Sequence, residues 1–337
     1  MMISGSGRRS RIAACREIGL CKPGEQRVKL ADTMGAHRGE GHKHLDQLVR
    51  DLLATSWEKA RRAIERGQIF VDDAAMTDTR ALIREGAHVV YRPHAKRASG
   101  ALEPRVVHLD SQVVVVNKPA GMSTIPYEDE RGTLDEWTRK ELQKRTKETG
   151  RPSLGVVHRI DKETSGLLVF TRTWLAKQSL SSQFRSHTVD RRYLALVHGA
   201  VSSQTIRSHL IENRGDGLKG SFEHTIGKRQ PHLKPNGQIA ITHVELIERL
   251  NGASLVQCRL ETGRTHQIRI HLSELGHPLV GERVYVRHYK GDILQAARMM
   301  LHATELGFEH PKTLERVTWE VPPPDDFVKV LDELRSS

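Results

Sequence analysis

The sequence predicts an α+β protein with a large C-terminal domain built on a largely antiparallel mixed sheet, preceded by a small α/β domain. Three observations carry that expectation. The chain has 337 residues and is 37% hydrophobic, more than one small domain needs and enough for a sizeable core. Short apolar runs such as Val113 to Val116 and Leu167 to Phe170 have strand length and end at loop signals. Strand and helix patterns do not alternate strictly, which argues against a doubly wound parallel sheet.

Residues 1–41 lack clear periodicity and are frequent in Gly and Arg, so a disordered basic arm is expected, or a stretch that precedes a start at Met34. Regularity begins near His44. Leu45, Leu48, Val49, Leu52 and Leu53 fall at helical spacing and make one apolar stripe. Ser56 is placed to cap a second helix, Trp57 to Glu65, ended by Gly67. Gln68 to Asp72 and Val89 to Tyr91 read as short strands, which makes 42–93 a domain and the polar stretch 94–104 a linker. From 105 to 337 a second domain opens with the buried strand Val113 to Val116 and the loop signal Asn117-Lys118-Pro119-Ala120-Gly121. Thr133 is placed to cap a charged helix that runs to about Lys147. No internal repeat stands out.

Lys and Arg exceed Asp and Glu by 12. The excess suits a polyanionic partner, because cationic surface releases counterions from phosphate backbones, and it equally suits general solubility. Cys15, Cys21 and Cys258 have spacing that fits neither a zinc site nor a disulfide framework, so a reducing cytoplasm is the expected home. No apolar run is long enough to span a membrane. There is no dinucleotide fingerprint and no phosphate-cradling Gly-rich loop, so no cofactor is expected. His266 and His271 stand at i, i+5, which is not the same-face pair of a zinc hydrolase, and no metal site is expected. Asp161 and Glu163 hint at a glycosidase, but nothing in their spacing sets them across a sugar.

The densest chemistry lies in His158-Arg159-Ile160-Asp161-Lys162-Glu163-Thr164-Ser165-Gly166, between the apolar runs Leu154 to Val157 and Leu167 to Phe170. A carboxylate between two buried segments is costly unless it is paired or used. By spacing alone, Asp161 reads as a turn residue bonded to nearby amides.

The full word resembles the signature of the RluA family of pseudouridine synthases, His-Arg-Leu-Asp-x-x-Thr-Ser-Gly, with Ile160 in place of Leu. The likeness continues through Val115 to Met122, Arg192 to Val197, Leu260 to His271, Gly276 to Gly281 and Leu301-His302-Ala303, and covers roughly 106–323. One departure is Gly281-Glu282, where the family usually has Asp after Gly; Glu keeps the charge. The resemblance implies the pseudouridine synthase fold and an isomerase that converts uridine to pseudouridine in RNA. It also implies catalytic roles for Asp161, Tyr193 and Arg269, with Arg269 pairing the aspartate. Arg159 is implied to hold or replace the flipped nucleotide, and Arg264 and Lys118 are expected phosphate contacts.

Residues 44–93 resemble the alpha-L RNA-binding domain through Leu45-Asp46, Ser56, Ala60, Ile64, Gly67 and Val71. Trp57 stands where Arg is usual, and Asp72-Asp73 replaces an Asn-Gly turn. Lys59, Arg61, Arg62 and Arg66 are the expected RNA-binding face; a small appendage that only packs on the larger domain is the alternative. The two domains together suggest large-subunit ribosomal RNA as partner, with transfer RNA next. A non-catalytic RNA-binding ribosome-assembly protein is a third reading, against which the intact Asp161, Tyr193 and Arg269 set argues. Nothing in the sequence demands more than a monomer.

Overall fold

A computed structural model describes residues 26–29, 43–65, 67–72, 74–76, 79, 81–83, 87–93, 103–146, 150–225, 232, 235–286 and 289–336. The chain divides into two compact units, Met1–Ala101 and Leu102–Ser337.

In the first unit, β1 (Gln26–Lys29), β6 (His88–Tyr91), β3 (Ile69–Val71) and β4 (Ala74–Met76) form a four-stranded antiparallel sheet in that order. A two-stranded ladder pairs β2 (Lys43–His44) with β5 (Leu82–Ile83). Helices α1 (Leu45–Leu52) and α2 (Trp57–Glu65) bury Leu45, Leu48, Val49, Ala60 and Ile64 with Ile69 and Val89. The apolar stripe read from the sequence is this interface, and Leu52 and Leu53 pack at its margin. The Ser56 hydroxyl accepts the Lys59 N–H at 3.4 Å, at the edge of hydrogen-bonding distance, where the cap was expected. Strand β1 corrects one expectation: Gln26–Lys29 is extended and paired, inside the stretch read as a disordered arm. An edge strand is held by its backbone ladder and needs no apolar alternation to betray it. The remainder of the arm lies outside the described residues, as does 94–102 of the expected linker.

The second unit is an eleven-stranded sheet. Its strands are β7 (Arg105–Leu109), β8 (Val113–Lys118), β9 (Gly155–Val156), β10 (Ser165–Thr171), β11 (Asp190–His198), β12 (Gln204–Ile211), β13 (Gly220–Ser221), β14 (Gln238–Leu250), β15 (Ala253–Leu260), β16 (Leu301–Glu309) and β17 (Arg316–Glu320). The path runs β13-β12-β14-β15-β11-β16-β10-β8-β7, with β17 beside β16 and β9 beside β10. Every pairing is antiparallel except β10 with β16, so the largely antiparallel mixed sheet is as expected.

The central strands are buried on both faces, which is why they read as unbroken apolar runs rather than alternations. Val114, Val116, Leu168 and Phe170 face one core, with Leu134 and Leu142 of α3 (Leu134–Thr146) and Ile268 and Leu272 of α5 (Gln267–Glu274). Val113, Val115, Leu167 and Val169 face the other, with Leu180 of α4 (Trp174–Arg185). Helix α6 (Asp325–Ser336) lays Phe327 and Leu331 over Leu196 and Leu255.

Strands β9 and β10 pair antiparallel, so residues 157–164 between them form one connection, and Asp161 rides on it. Gly166 stands where β10 begins its parallel contact with β16, opposite Ala303. Its φ is +112°, and a Cβ there would lie 2.1 Å from the Ala303 carbonyl oxygen. The motif's last glycine is therefore a packing requirement. Gly166→Ala is expected to lower unfolding stability by about 3 kcal/mol or more, from left-handed strain plus a backbone clash. Urea denaturation would show this as a lower midpoint; a wild-type midpoint would refute it.

Candidate active site

The connection carrying Asp161 is clamped through its own backbone. Thr124 donates its hydroxyl to the Ile160 carbonyl at 3.0 Å. The Lys162 carbonyl accepts the Gly121 N–H at 2.8 Å and the Lys118 ammonium at 3.0 Å. The Asp161 carbonyl accepts the Thr164 N–H at 3.1 Å. Three consecutive carbonyls are thus satisfied, which fixes the backbone under the carboxylate.

The other residues of the word also have structural duties. His158 Nε2 accepts the Val169 N–H at 3.1 Å, which requires the neutral ring, and the ring stacks on Phe184 at 4.6 Å. Ile160 is buried in the main core. Ser165 Oγ bonds His302 Nδ1 at 2.9 Å, and His302 Nε2 meets the Val321 carbonyl at 3.2 Å. Burial pulls the His302 imidazole down to about 4, so it too is neutral.

Above this frame, Asp161, Tyr193 and Arg269 line one cavity of about 530 Å³, within the range of small-molecule sites. Arg269 Nη1 stands 3.5 Å from Asp161 Oδ2, and His266 Nε2 stands 4.0 Å from Oδ1. The other edge of the Arg269 guanidinium is bidentate on Glu282, with Nε to Oε2 at 2.7 Å and Nη2 to Oε1 at 2.8 Å. The Glu282 side chain is 1% exposed, and its carboxylate also accepts the N–H groups of Arg283 and Val284 at 3.0 and 2.9 Å. Burial disfavours the charge on Arg269, but the Glu282 hydrogen bonds and the Glu282 and Asp161 charges outweigh it and raise its pKa. Burial likewise works against the Glu282 carboxylate, and the Arg269 hydrogen bonds and charge overcome it and lower its pKa. The Arg269 guanidinium also stands 5.1 Å over the Tyr285 ring, whose hydroxyl bonds His266 Nδ1 at 2.8 Å.

Tyr193 reaches the cavity from β11, at a register shift between Arg192 and Tyr193 against β16. A bulge of this kind re-aims a side chain. Burial, and more weakly the Asp161 charge, push the phenol up to about 12, so it keeps its proton near neutrality.

Arg159 is exposed at the cavity, its Nη2 3.4 Å from Thr265 Oγ1, and Arg264 lines it with Nε on the Ile239 carbonyl at 3.1 Å. The expectation for Lys118 fails. It is fully buried at the end of β8, and its ammonium donates to the carbonyls of Pro119, Met122 and Lys162 at 2.9, 2.8 and 3.0 Å. All three N–H donors are used inside the protein, so Lys118 braces the Asp161 connection and is not a phosphate contact; burial pulls its pKa down to about 7. His266 and His271 serve different partners: His271 bonds Ser208 and Thr242, both at 2.9 Å, away from Asp161.

In the first unit Lys59, Arg61 and Arg62 are exposed, and Arg66 lies outside the described residues. Arg61 pairs with Asp46 at 3.0 Å and Arg62 with Glu58. Trp57 holds Arg50 and Arg61 over its ring at 4.4 and 5.7 Å.

Sequence reasoning missed Glu282 as a site residue. The signal was present as an acid directly after Gly281, noticed only as a departure. Among the described residues no group of three or more His, Cys, Asp and Glu side chains is arranged to hold a metal ion, and no helix is long and apolar enough to cross a membrane.

A carboxylate, a guanidinium beside it and an aromatic ring thus meet in one cleft of a largely antiparallel sheet. The sequence model of RNA pseudouridylate synthase matches residues 112–274. The chain is 37% identical to a ribosomal large subunit pseudouridine synthase D of Neisseria meningitidis serogroup A, over 81% of this chain and 73% of the relative. It is 34% identical to the RNA pseudouridine synthase YlyB of Bacillus subtilis, over 81% and 88%. It is 31% identical to a pseudouridine synthase D of Pseudomonas aeruginosa, over 88% and 93%. Among solved structures, human RNA pseudouridylate synthase domain containing 4 shares the fold, with TM-score 0.56 and 23% identity over 68% of this chain and 92% of that one. The chain belongs to the RluA family of RNA pseudouridine synthases, enzymes that isomerise uridine to pseudouridine in RNA.

The Arg269–Glu282 pair makes the site acid-sensitive. Because folding lowers the Glu282 pKa, its contribution to stability is present above the ordinary carboxylate value of 4.5 and is lost as pH falls below it. Glu282→Gln is expected to be less stable than wild type near pH 7 by about 3 kcal/mol, since it leaves the buried guanidinium with only its longer contact to Asp161, and to flatten the acid limb of stability. Urea midpoints from pH 7 to pH 3 check this; parallel curves would refute it.

Proposed function

We propose that this enzyme modifies uridines of large-subunit ribosomal RNA, with Asp161 as the essential carboxylate. The observation that carries the role is the clamped backbone of Asp161, with Arg269 oriented on it and Tyr193 in the same cavity. The substrate rests on relatives named as ribosomal large subunit pseudouridine synthases.

Isomerisation breaks the bond from N1 to C1′, rotates the base and joins C5 to C1′; the proton on C5 leaves and N1 gains one, so no redox partner is needed. Cleavage builds positive charge at C1′, which an ionised Asp161 meets either by attack on that carbon or by removing a ribose proton. Arg269 Nη1 faces that carboxylate at 3.5 Å. The Tyr193 ring is the face on which the flipped uracil rests, and its protonated hydroxyl is available to relay the C5 proton. Arg159 occupies the flipped nucleotide's side of the cavity, and Arg264 contacts RNA phosphate. Lys59, Arg61 and Arg62 are exposed and form an RNA-binding face of the first unit, where the exposed Arg62–Glu58 pair is weak and phosphate competes for it.

The test is RNA from a strain lacking the protein, incubated with the purified enzyme and mapped chemically for pseudouridine. Wild type is expected to restore modification at ribosomal uridines, and Asp161→Asn to restore none while still binding the RNA. Modification confined to transfer RNA would overturn the substrate, and an active Asp161→Asn would overturn the role.

A further inference from the structure

Arg191, on β11 two residues before Tyr193, is 6% exposed yet lines the cavity. Its Nη2 donates to the Glu261 carbonyl at 2.9 Å, and its guanidinium stands 5.5 Å over Phe184. Its Nε is buried without a partner, and the charged groups acting on it are Tyr193 and Arg264, with no carboxylate among them. Burial pulls its pKa below the ordinary value; the Tyr193 hydroxyl counters this and the nearby Arg264 charge adds to it. A buried cation without a counter-charge costs several kcal/mol, unless a ligand supplies the anion.

The surroundings point the same way. Arg159, Arg185, Arg191, Arg264 and Arg269 line the cavity, and Asp161 is its one carboxylate. Glu282 answers Arg269 from behind, so the rest of the cluster carries excess positive charge. The backbone is shaped around Arg191 as well: a Cβ at Gly263 would lie 2.4 Å from its Nη1. Residue 263 has to lack a side chain for the guanidinium to keep its place.

We propose that Arg191 is the buried anchor of a phosphate subsite, taking a backbone phosphodiester next to the nucleotide whose base lies on Tyr193. This rests on the reading of the cavity as the RNA site. Phosphate supplies the missing negative charge, and a guanidinium is suited to bidentate contact with it. Lodged beside Tyr193, the contact holds the ribose while the base turns, so Arg191 acts as a positioning residue for the reaction.

Binding of a fluorescent oligouridylate, measured by anisotropy over a range of salt, tests this without turnover. Losing one phosphate contact on a single strand lowers the slope of log K against log salt by about 0.7. Arg191→Gln is expected to show that drop, with affinity about tenfold weaker at low salt. Arg191→Lys is expected to keep the slope. Gly263→Ala, which keeps the charge but displaces the guanidinium, is expected to lose slope like Arg191→Gln, and it carries the test if Arg191→Gln does not fold by circular dichroism. Wild-type slopes in both Arg191→Gln and Gly263→Ala would overturn the proposal, since contact with a base edge or a purely structural role leaves the slope unchanged; absence of binding by the wild type would overturn it too. Oligouridylate binding does not depend on which RNA is modified, so failure here leaves the ribosomal substrate standing, and a failed modification map leaves this result standing.

Discussion

The site depends on one buried ion pair, Arg269 with Glu282. Two charges out of water are expensive, and a pair of this kind is a poor source of stability compared with apolar packing. Its value here is directional. Glu282, held by the backbone N–H groups of Arg283 and Val284, fixes Nε and Nη2 of the guanidinium, and the remaining Nη1 then has one orientation, toward Asp161. Three side chains from the β9–β10 connection, from α5 and from the segment after Gly281 are set by that single contact.

The scaffold beneath is equally specific about the backbone. Asp161 sits between two carbonyls bound by the loop that follows β8, through Thr124 to Ile160 and through Gly121 and Lys118 to Lys162. Strands β8 and β10 are neighbours in the sheet, so the clamp and the clamped segment leave the core side by side. The motif therefore holds two kinds of residue. His158, Ile160, Ser165 and Gly166 tie the connection to Val169, the core, His302 and Ala303, while Arg159, Asp161 and Thr164 line the cavity, as His158 and Ile160 also do in part.

How much of this was legible in the sequence follows from what a pattern encodes. The first two helices were legible because burial on one helix face has a period, the central strands because burial on both faces leaves short unbroken apolar runs, and the antiparallel character because strand and helix patterns do not alternate. Asp161, Tyr193 and Arg269 were legible because they lie in long, specific words. Lys118 was misread: a lysine beside Pro119-Ala120-Gly121 looks like a loop cation, and only the three carbonyls around its ammonium show it to be internal. Glu282 was seen but not understood, because its partner is 13 residues away along the chain and only the fold brings them together. Arg191 carried no signal at all, since one arginine beside another on a strand says nothing about which is buried; Arg192 pairs with Glu305 at 3.1 Å, whereas Arg191 turns inward. Strand β1 escaped for a different reason: its backbone ladder with β6 leaves no period in the sequence.

The lengths of the contacts explain how one guanidinium serves an acid without disabling it. Arg269 grips Glu282 at 2.7 and 2.8 Å but stands 3.5 Å from Asp161. A tight bidentate bond to Asp161 would occupy the lone pairs of both its oxygens. Because Glu282 already takes the close hydrogen bonds, Arg269 stands off from Asp161 and leaves its oxygens free, and contacts of this sort tighten when substrate closes the site. The same division governs the rest of the cavity. Arg159 Nη2 stands by Thr265 Oγ1 and Arg264 Nε bonds the Ile239 carbonyl, so neither of these cations is bound to the Asp161 carboxylate.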